Sequence, residues 1–155
     1  MKVFISHKKE DAIPALLIKF AFENKGVSAY LDLLDEKVVG NGKTLTEHIK
    51  NQLNSCTDII VVVSDATKQS WWVPFEIGMS AQVNMPTATY LIGRVDLPEY
   101  LWYWPKLTST QDVSKYVDIR KRVSEQYRLM RESYEVSNRL DEVSTFYQEL
   151  KRELR

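Results

Sequence analysis

The chain has 155 residues and a mass of 18.1 kDa, is 44% hydrophobic and 27% charged, and carries 21 basic and 21 acidic side chains that cancel. That length suits one domain with a real core; the balanced charge argues against a dedicated nucleic-acid or anionic-membrane surface, and a single cysteine, Cys56, excludes an intramolecular disulfide or a multi-cysteine zinc site. The longest aliphatic run, Ile59 to Val63, falls far short of the ~20 residues that span a bilayer, and the opening residues lack the apolar stretch of a secretory signal, so a reduced, cytoplasmic setting is expected.

Strand and helix signals alternate over the first two thirds. Val3-Phe4-Ile5 is a short apolar β-type run, stopped by the polar stretch Ser6–Asp11. Asp11 is placed to cap a following helix, with Pro14 in the first turn, where a missing N–H costs nothing. Leu16, Leu17, Phe20 and Ala21 keep helical spacing until Asn24-Lys25-Gly26 ends the element. Val27–Leu31 reads as a second strand, followed by a polar loop from Asp32 to Lys43. Thr44-Leu45-Thr46-Glu47 has the form of a capping box, which predicts a helix from about Leu45 to Ser55 that buries Leu45, Ile49 and Leu53.

Ile59-Ile60-Val61-Val62-Val63 is apolar at every position, as a central strand covered on both faces must be. A third helix is predicted from near Ser70–Pro74 to about Val83, and Thr89–Ile92 as a fourth strand. The aromatic cluster Tyr100, Trp102, Tyr103 and Trp104 reads as a packed corner. From Asp118 to Arg155 there are 9 Lys/Arg and 8 Asp/Glu in 38 residues, with no Gly or Pro. Apolar residues recur there at helical spacing, first at 119, 123, 127, 130 and 134, then at 136, 140, 143, 147, 150 and 154. The stripe breaks phase between Tyr134 and Val136, where Ser137-Asn138 could cap a new helix. This divides the chain into a domain over 1–117 and an amphipathic helical extension over 118–155. The extension's stripe either packs on the domain or drives self-association.

Strands alternating with helices imply an α/β fold with a parallel sheet. In such a sheet ligands settle outside the carboxyl ends of the strands, where strand order reverses. Topology alone therefore selects His7, Lys8, Lys9, Glu10, Asp32, Asp35, Glu36, Lys43 and the Trp71–Glu76 segment. There is no Gly-x-Gly-x-x-Gly after the first strand and no phosphate-binding Gly-x-x-x-x-Gly-Lys-Ser/Thr. A phosphoacceptor receiver domain needs acidic residues after the first strand and an Asp closing the third, but Ser6-His7 and Ser64 stand there. His48 reads as an exposed helix residue and Cys56 as an inert packed thiol. Two histidines far apart make no metal site.

The segment Val3–Asp11 resembles the first box of TIR (Toll/interleukin-1 receptor) domains in their bacterial form. Residues 32–43, with Gly42 before the second helix, resemble the loop that follows the second strand of those domains. Ser70-Trp71-Trp72-Val73-Pro74-Phe75-Glu76 is similar to the Ser-x-Trp-x-x-x-Glu pattern of enzymatic TIR domains. The three segments stand in the right order and cover roughly residues 1–110; the tail carries no such motif. The resemblance implies a flavodoxin-like open parallel sheet, the TIR fold, and cleavage of NAD+ at the nicotinamide–ribose bond. Glu76 maps onto the catalytic carboxylate and Trp72 onto the indole beside the ligand. Ser6, His7, Lys8 and Lys9 after the first strand, and Asp32 in the second loop, map onto positions that line the pocket.

The chemistry suits so sparse a set of residues. Nicotinamide leaves as a neutral molecule from a cationic ring, so the site needs no general acid and no metal or cofactor, with NAD+ itself as substrate. It needs a negative charge beside the developing oxocarbenium ion and a positioned ribose. One ionised Glu supplies both, and the macrodipole favours a carboxylate in the first turns of a helix. Lys8 or Lys9 can meet the pyrophosphate or be simple solvated charges; His7 can act in proton transfer or only hydrogen-bond its loop. Trp71 and Trp72 are adjacent and face different ways, so one of them is expected in the core. A short chain of this kind resembles the sensor enzymes of Thoeris-type anti-phage defence. There TIR domains self-associate and a separate effector protein reads the ADP-ribose-derived product. Two other readings stay open: a TIR scaffold that binds other TIR domains without chemistry, and a nucleoside deoxyribosyltransferase-like enzyme, which also combines a flavodoxin-like sheet with a catalytic Glu.

Overall fold

The hydrophobic runs become five parallel strands: β1 (Lys2–Ser6), β2 (Ser28–Leu31), β3 (Asp58–Val63), β4 (Thr87–Leu91) and β5 (Lys106–Leu107). The structure is a computed structural model that describes residues 1–31, 42–133 and 139–155, without the side chains of residues 68, 69, 139 and 140. The strand order is β2-β1-β3-β4-β5, all parallel. The chain moves outward from β1 to β2, then returns past β1 to β3. Strand order thus reverses between β1 and β3, and the carboxyl ends of those two strands flank the crevice where such sheets hold ligands.

Helices cover both faces. α1 (Ala12–Asn24), α4 (Thr110–Glu132) and α5 (Arg139–Glu153) lie on the face fed by Val3, Ile5, Ile60 and Val62. α2 (Gly42–Asn54) and α3 (Trp72–Gln82) lie on the face fed by Phe4, Ile59, Val61 and Val63. Every residue of β3 is buried, as its unbroken apolar run requires.

Several details depart from the sequence expectations. Asp11 makes no side-chain cap on α1; a single 3-10 turn, Lys9–Asp11, leads into the helix. In α1 the buried face is Ala15, Ile18 and Phe22, while Leu16, Leu17 and Phe20 point outward. That helix is apolar all round, so periodicity selected the wrong stripe. α2 begins at Gly42, ahead of Thr44, so the expected capping box does not form; Thr46 Oγ1 instead donates to the Gly42 carbonyl at 2.7 Å. A true capping box starts α4: Ser109 Oγ accepts from the Asp112 N–H at 3.2 Å, and the Asp112 carboxylate accepts from the Ser109 N–H at 3.1 Å. β5, two residues long, is an element the periodicity missed.

α4 starts at Thr110 and runs across the 117/118 position where the helical extension was expected to begin. Tyr116, Val117, Ile119 and Val123 of this one helix enter the same core. Phe146, Tyr147 and Leu150 of α5 join them, so among the described residues Ile119, Val123, Tyr147 and Leu150 of the tail's stripe pack into this core, while Met130 is exposed. The phase break at residues 134–138 lies outside the described residues. In the aromatic corner Trp104 packs against the core, while Tyr100, Trp102 and Tyr103 are largely exposed. His48 is not free on the surface: its Nε2 lies 3.1 Å from the Tyr30 hydroxyl. Cys56 is buried, and burial raises its thiol pKa.

The amino edge of the sheet is held by charge. Asp58, fully buried at the start of β3, accepts from the Tyr116 hydroxyl at 3.0 Å and from Arg120 Nε at 3.1 Å. Arg120 continues to Glu142 of α5 at 2.7 Å, and Ser124 donates to the same Glu142 oxygen at 2.8 Å. Tyr147 donates nothing to this set; its oxygen accepts the Thr87 N–H at 2.8 Å and so ties α5 to β4.

Candidate active site

Alternation along β1 places Phe4 and Ser6 on the α3 side of the sheet, and Ser6 closes the strand at its carboxyl end. α3 turns Val73, Glu76, Ile77 and Ser80 inward, the i, i+3, i+4, i+7 face of a helix. Val73 and Ile77 pack on Phe4 and Val61, and this seating carries Glu76 to Ser6. Glu76 is only 3% exposed, and Ser6 Oγ donates a hydrogen bond to its Oε2. A carboxylate so deep is tolerable only with hydrogen-bond donors in place, because desolvation alone costs several kcal/mol, by about the amounts known for buried ions.

The start of α3 is set by Ser70, the first residue of the Ser-x-Trp-x-x-x-Glu pattern: its Oγ accepts the Val73 N–H at 3.2 Å. Pro74 follows within the first turn, where no N–H is needed. Glu76 is the fifth helical residue, one place beyond the first turn, so the dipole contributes less there than the sequence reading anticipated. Trp72 stands one turn before Glu76, 40% exposed, with its ring edge-to-face against Phe75 at 5.8 Å. Trp71 is 90% exposed. Neither indole is in the core, contrary to expectation, because Val73 and Ile77 already fill that side of the helix.

The span after β1 lies beside this pair. The His7 ring is half-buried; burial lowers its pKa, opposed by a backbone contact at Ile5 and by the charge of Asp11, so the imidazole is neutral at pH 7. His7 Nδ1 has no hydrogen-bond partner among the described residues. Lys8 forms an ion pair with Glu10 at 3.1 Å, and Lys9 is exposed. Lys43 stands in the first turn of α2, 3.9 Å from Glu47. Asp32, Asp35 and Glu36 lie outside the described residues.

One cluster escaped the sequence reading. Asp11 is buried, and its Oδ2 accepts from Ser64 Oγ at 2.7 Å and from Thr67 Oγ1 at 3.3 Å. The signal was present in Ser64 and Thr67, hydroxyls within four residues of the end of a fully apolar strand, which must find partners once that strand is buried. On the flank of α3 a cavity of about 470 Å³ opens between the helix start and residues 95–101, with Val63, Thr67, Val73, Pro74, Leu97 and Tyr100 among its walls; Glu76 is not one of them. Among the described residues no group of three His, Cys, Asp or Glu is arranged to hold a metal ion, and no helix is long and apolar enough to cross a membrane. A buried carboxylate fixed by a hydroxyl at the switch point, with a part-exposed indole one turn away, can stabilise a cationic sugar and offer a face to a planar ring.

The family model described as TIR domain matches residues 3–131. A probable 3′ cyclic ADP-D-ribose synthase, ThsB′, of Bacillus cereus is 29% identical over 79 residues, which is 49% of this chain. The match spans 41% of that protein's length, well under half of it. Among solved structures, the TIR domain of the Toll-related receptor TRR-2 of Hydra magnipapillata superimposes with a TM-score of 0.52 at 18% identity, covering 67% of this chain and 82% of that one. A 2-deoxyribosyltransferase of Bacillus psychrosaccharolyticus gives 0.59 at 14% identity, covering 73% and 90%. At such identities both likenesses are of fold alone.

Proposed function

The chain belongs to the TIR domain family, and on that premise we propose that it cleaves NAD+ at the nicotinamide–ribose bond and yields an ADP-ribose-derived signal nucleotide. The observation that carries the reading is the Glu76 carboxylate, buried at the carboxyl edge and held by Ser6 one turn from Trp72. The likeness to a protein named as a cyclic ADP-ribose synthase supports it.

In this reaction the glycosidic C–N bond breaks, its electron pair returns to the pyridinium nitrogen, and neutral nicotinamide departs. Glu76 faces the positive charge left on the ribose, and because Ser6 already fixes one carboxylate oxygen, little reorganisation accompanies the step. The nucleophile decides the product. Water gives ADP-ribose and releases a proton; an adenine nitrogen or ribose hydroxyl of the same molecule closes a ring. Trp72 offers a face to the departing ring. In this reading Lys8 and Lys9 meet the pyrophosphate, His7 and Asp32 line the pocket, and a separate effector reads the product in anti-phage defence.

The test is nicotinamide release from NAD+ by the purified protein, with Glu76→Gln in parallel. Release by the parent and a loss of about a hundredfold or more in the variant is expected. No release by the parent, or equal release by both, rejects the reading. Self-association belongs to the same proposal and has its own observation: Ile13 and Phe20, 76% and 50% exposed, stand with Leu16 and Leu17 in a stripe on the outer face of α1 that is exposed among the described residues. Leu17→Ser with Phe20→Ser is expected to lower the mass per particle in light scattering; an unchanged mass removes α1 from the interface.

A further inference from the structure

We infer that Asp11 is a positioning residue, which ties the far end of the His7–Glu10 span to the loop after β3 and so presets that span beside the Ser6–Glu76 pair. The inference rests on the NAD+-cleavage reading and deepens it.

Four residues separate Ser6 from Asp11. The near end of the span is pinned to α3 by the hydrogen bond from Ser6 to Glu76. The far end is pinned to the other side of the crevice by Asp11, which accepts from Ser64 Oγ at 2.7 Å and Thr67 Oγ1 at 3.3 Å. The anchor is itself ordered: Thr67 Oγ1 accepts the Ser64 N–H at 3.0 Å, and Ser64 Oγ accepts the Ala66 N–H at 3.1 Å. Ser64 follows the buried strand β3 directly, and Thr67 lies in the 3-10 turn just after it.

The ordinary use of an Asp at this place is to cap α1, and Asp11 does not do so. The entry to α1 is satisfied by its own backbone, with Asp11 N–H donating to the Lys8 carbonyl at 2.8 Å. A buried carboxylate costs desolvation that a capping Ser or Asn at the surface would not incur. What this one secures is a link across the switch point, 53 and 56 residues away in sequence. Between the two pins lies His7, with Nδ1 lacking a partner among the described residues. A span fixed at both ends loses little freedom when ligand arrives. Glu76 is held by Ser6 independently of Asp11, so the effect falls on substrate affinity and spares bond breaking.

Steady-state kinetics with NAD+ on the full chain test this. Asp11→Ala is expected to raise KM about tenfold and leave kcat within about twofold. Asp11→Asn, whose amide oxygen still accepts from both hydroxyls, is expected to restore the parental KM. Ser64→Ala raises KM in the same direction and adds nothing further on top of Asp11→Ala. An unchanged KM in Asp11→Ala, a fall in kcat alone, or full additivity with Ser64→Ala overturns the inference. If Asp11→Ala does not fold, Ser64→Ala decides: a raised KM supports it and an unchanged KM overturns it. If the parent releases no nicotinamide, the cleavage reading fails on its own, and calorimetric titration with intact NAD+ decides the positioning role. Binding about tenfold weaker in Asp11→Ala supports it; equal or absent binding overturns it.

Discussion

The two ends of the sheet each bury a carboxylate, and they hold it differently. At the amino edge Asp58 meets a tyrosine and an arginine, and that arginine passes on to Glu142 on another helix. At the carboxyl edge Glu76 meets the hydroxyl of Ser6, with His7 and the exposed Trp72 close by in the chain. The first arrangement neutralises charge against charge and joins three elements. The second holds its carboxyl group beside the crevice with a serine hydroxyl among its partners. If the proposed reading holds, stability and chemistry fall at opposite ends of the same five strands.

That contrast can be broken experimentally. The largest effect is expected at the carboxyl edge: Glu76→Gln lowers nicotinamide release by about a hundredfold or more, while its amide oxygen still accepts from Ser6. At the amino edge Arg120→Met takes the guanidinium from buried Asp58, which keeps the Tyr116 hydroxyl, and from Glu142, which keeps Arg131 and Ser124, and costs about 3–5 kcal/mol. For a chain of this length that is a Tm lower by roughly 6–20 °C, read by thermal melting, with the kcat of the folded fraction unchanged. If Arg120→Met abolishes turnover without lowering Tm, the division of labour is wrong.

Tyr147→Phe removes the acceptor of the Thr87 N–H and costs about 1 kcal/mol at neutral pH. Burial pushes the Tyr147 hydroxyl from 10 up to about 12. The folded state therefore holds this proton more tightly than the unfolded chain does. The stability it contributes is whole below pH 10 and is lost as pH rises toward 12. Denaturant melts at pH 8, 10 and 11 are expected to show the parent losing stability more steeply than the variant. The smallest effect is at Glu142. Burial raises its pKa, but the bonds from Arg120 and Ser124 outweigh that, and it ends below the ordinary value of 4.5. Its contribution is present above pH 4.5 and disappears as pH falls through the lower folded value, so Glu142→Gln narrows the gap to the parent in acid melts.

The parts legible in the sequence were those whose signal is local. β3 declared itself by five apolar residues in a row, and α3 by a serine, two tryptophans and a glutamate at fixed spacing. β5 was too short to show a period, and α1 misled because both its faces are apolar. Asp11 looked like a cap since nothing nearby in the chain reveals Ser64 or Thr67. Asp58 gave no sign of Arg120, 62 residues on. Phe146 fell outside the tail's apolar series and yet is fully buried against Tyr116. These pairings depend on which elements the topology makes neighbours, and periodicity carries no such information.

The interior place of β1 has a consequence for biosynthesis. Val3 pairs with Asp58, a partner translated 55 residues later. At the usual speed of a ribosome, about 5–20 residues per second, Phe4 and Ile5 wait roughly 3–11 s after their own synthesis before β3, the second of their two neighbouring strands, exists. Slower elongation lengthens that wait, so yield in a host is expected to depend on chaperones that shelter nascent apolar segments.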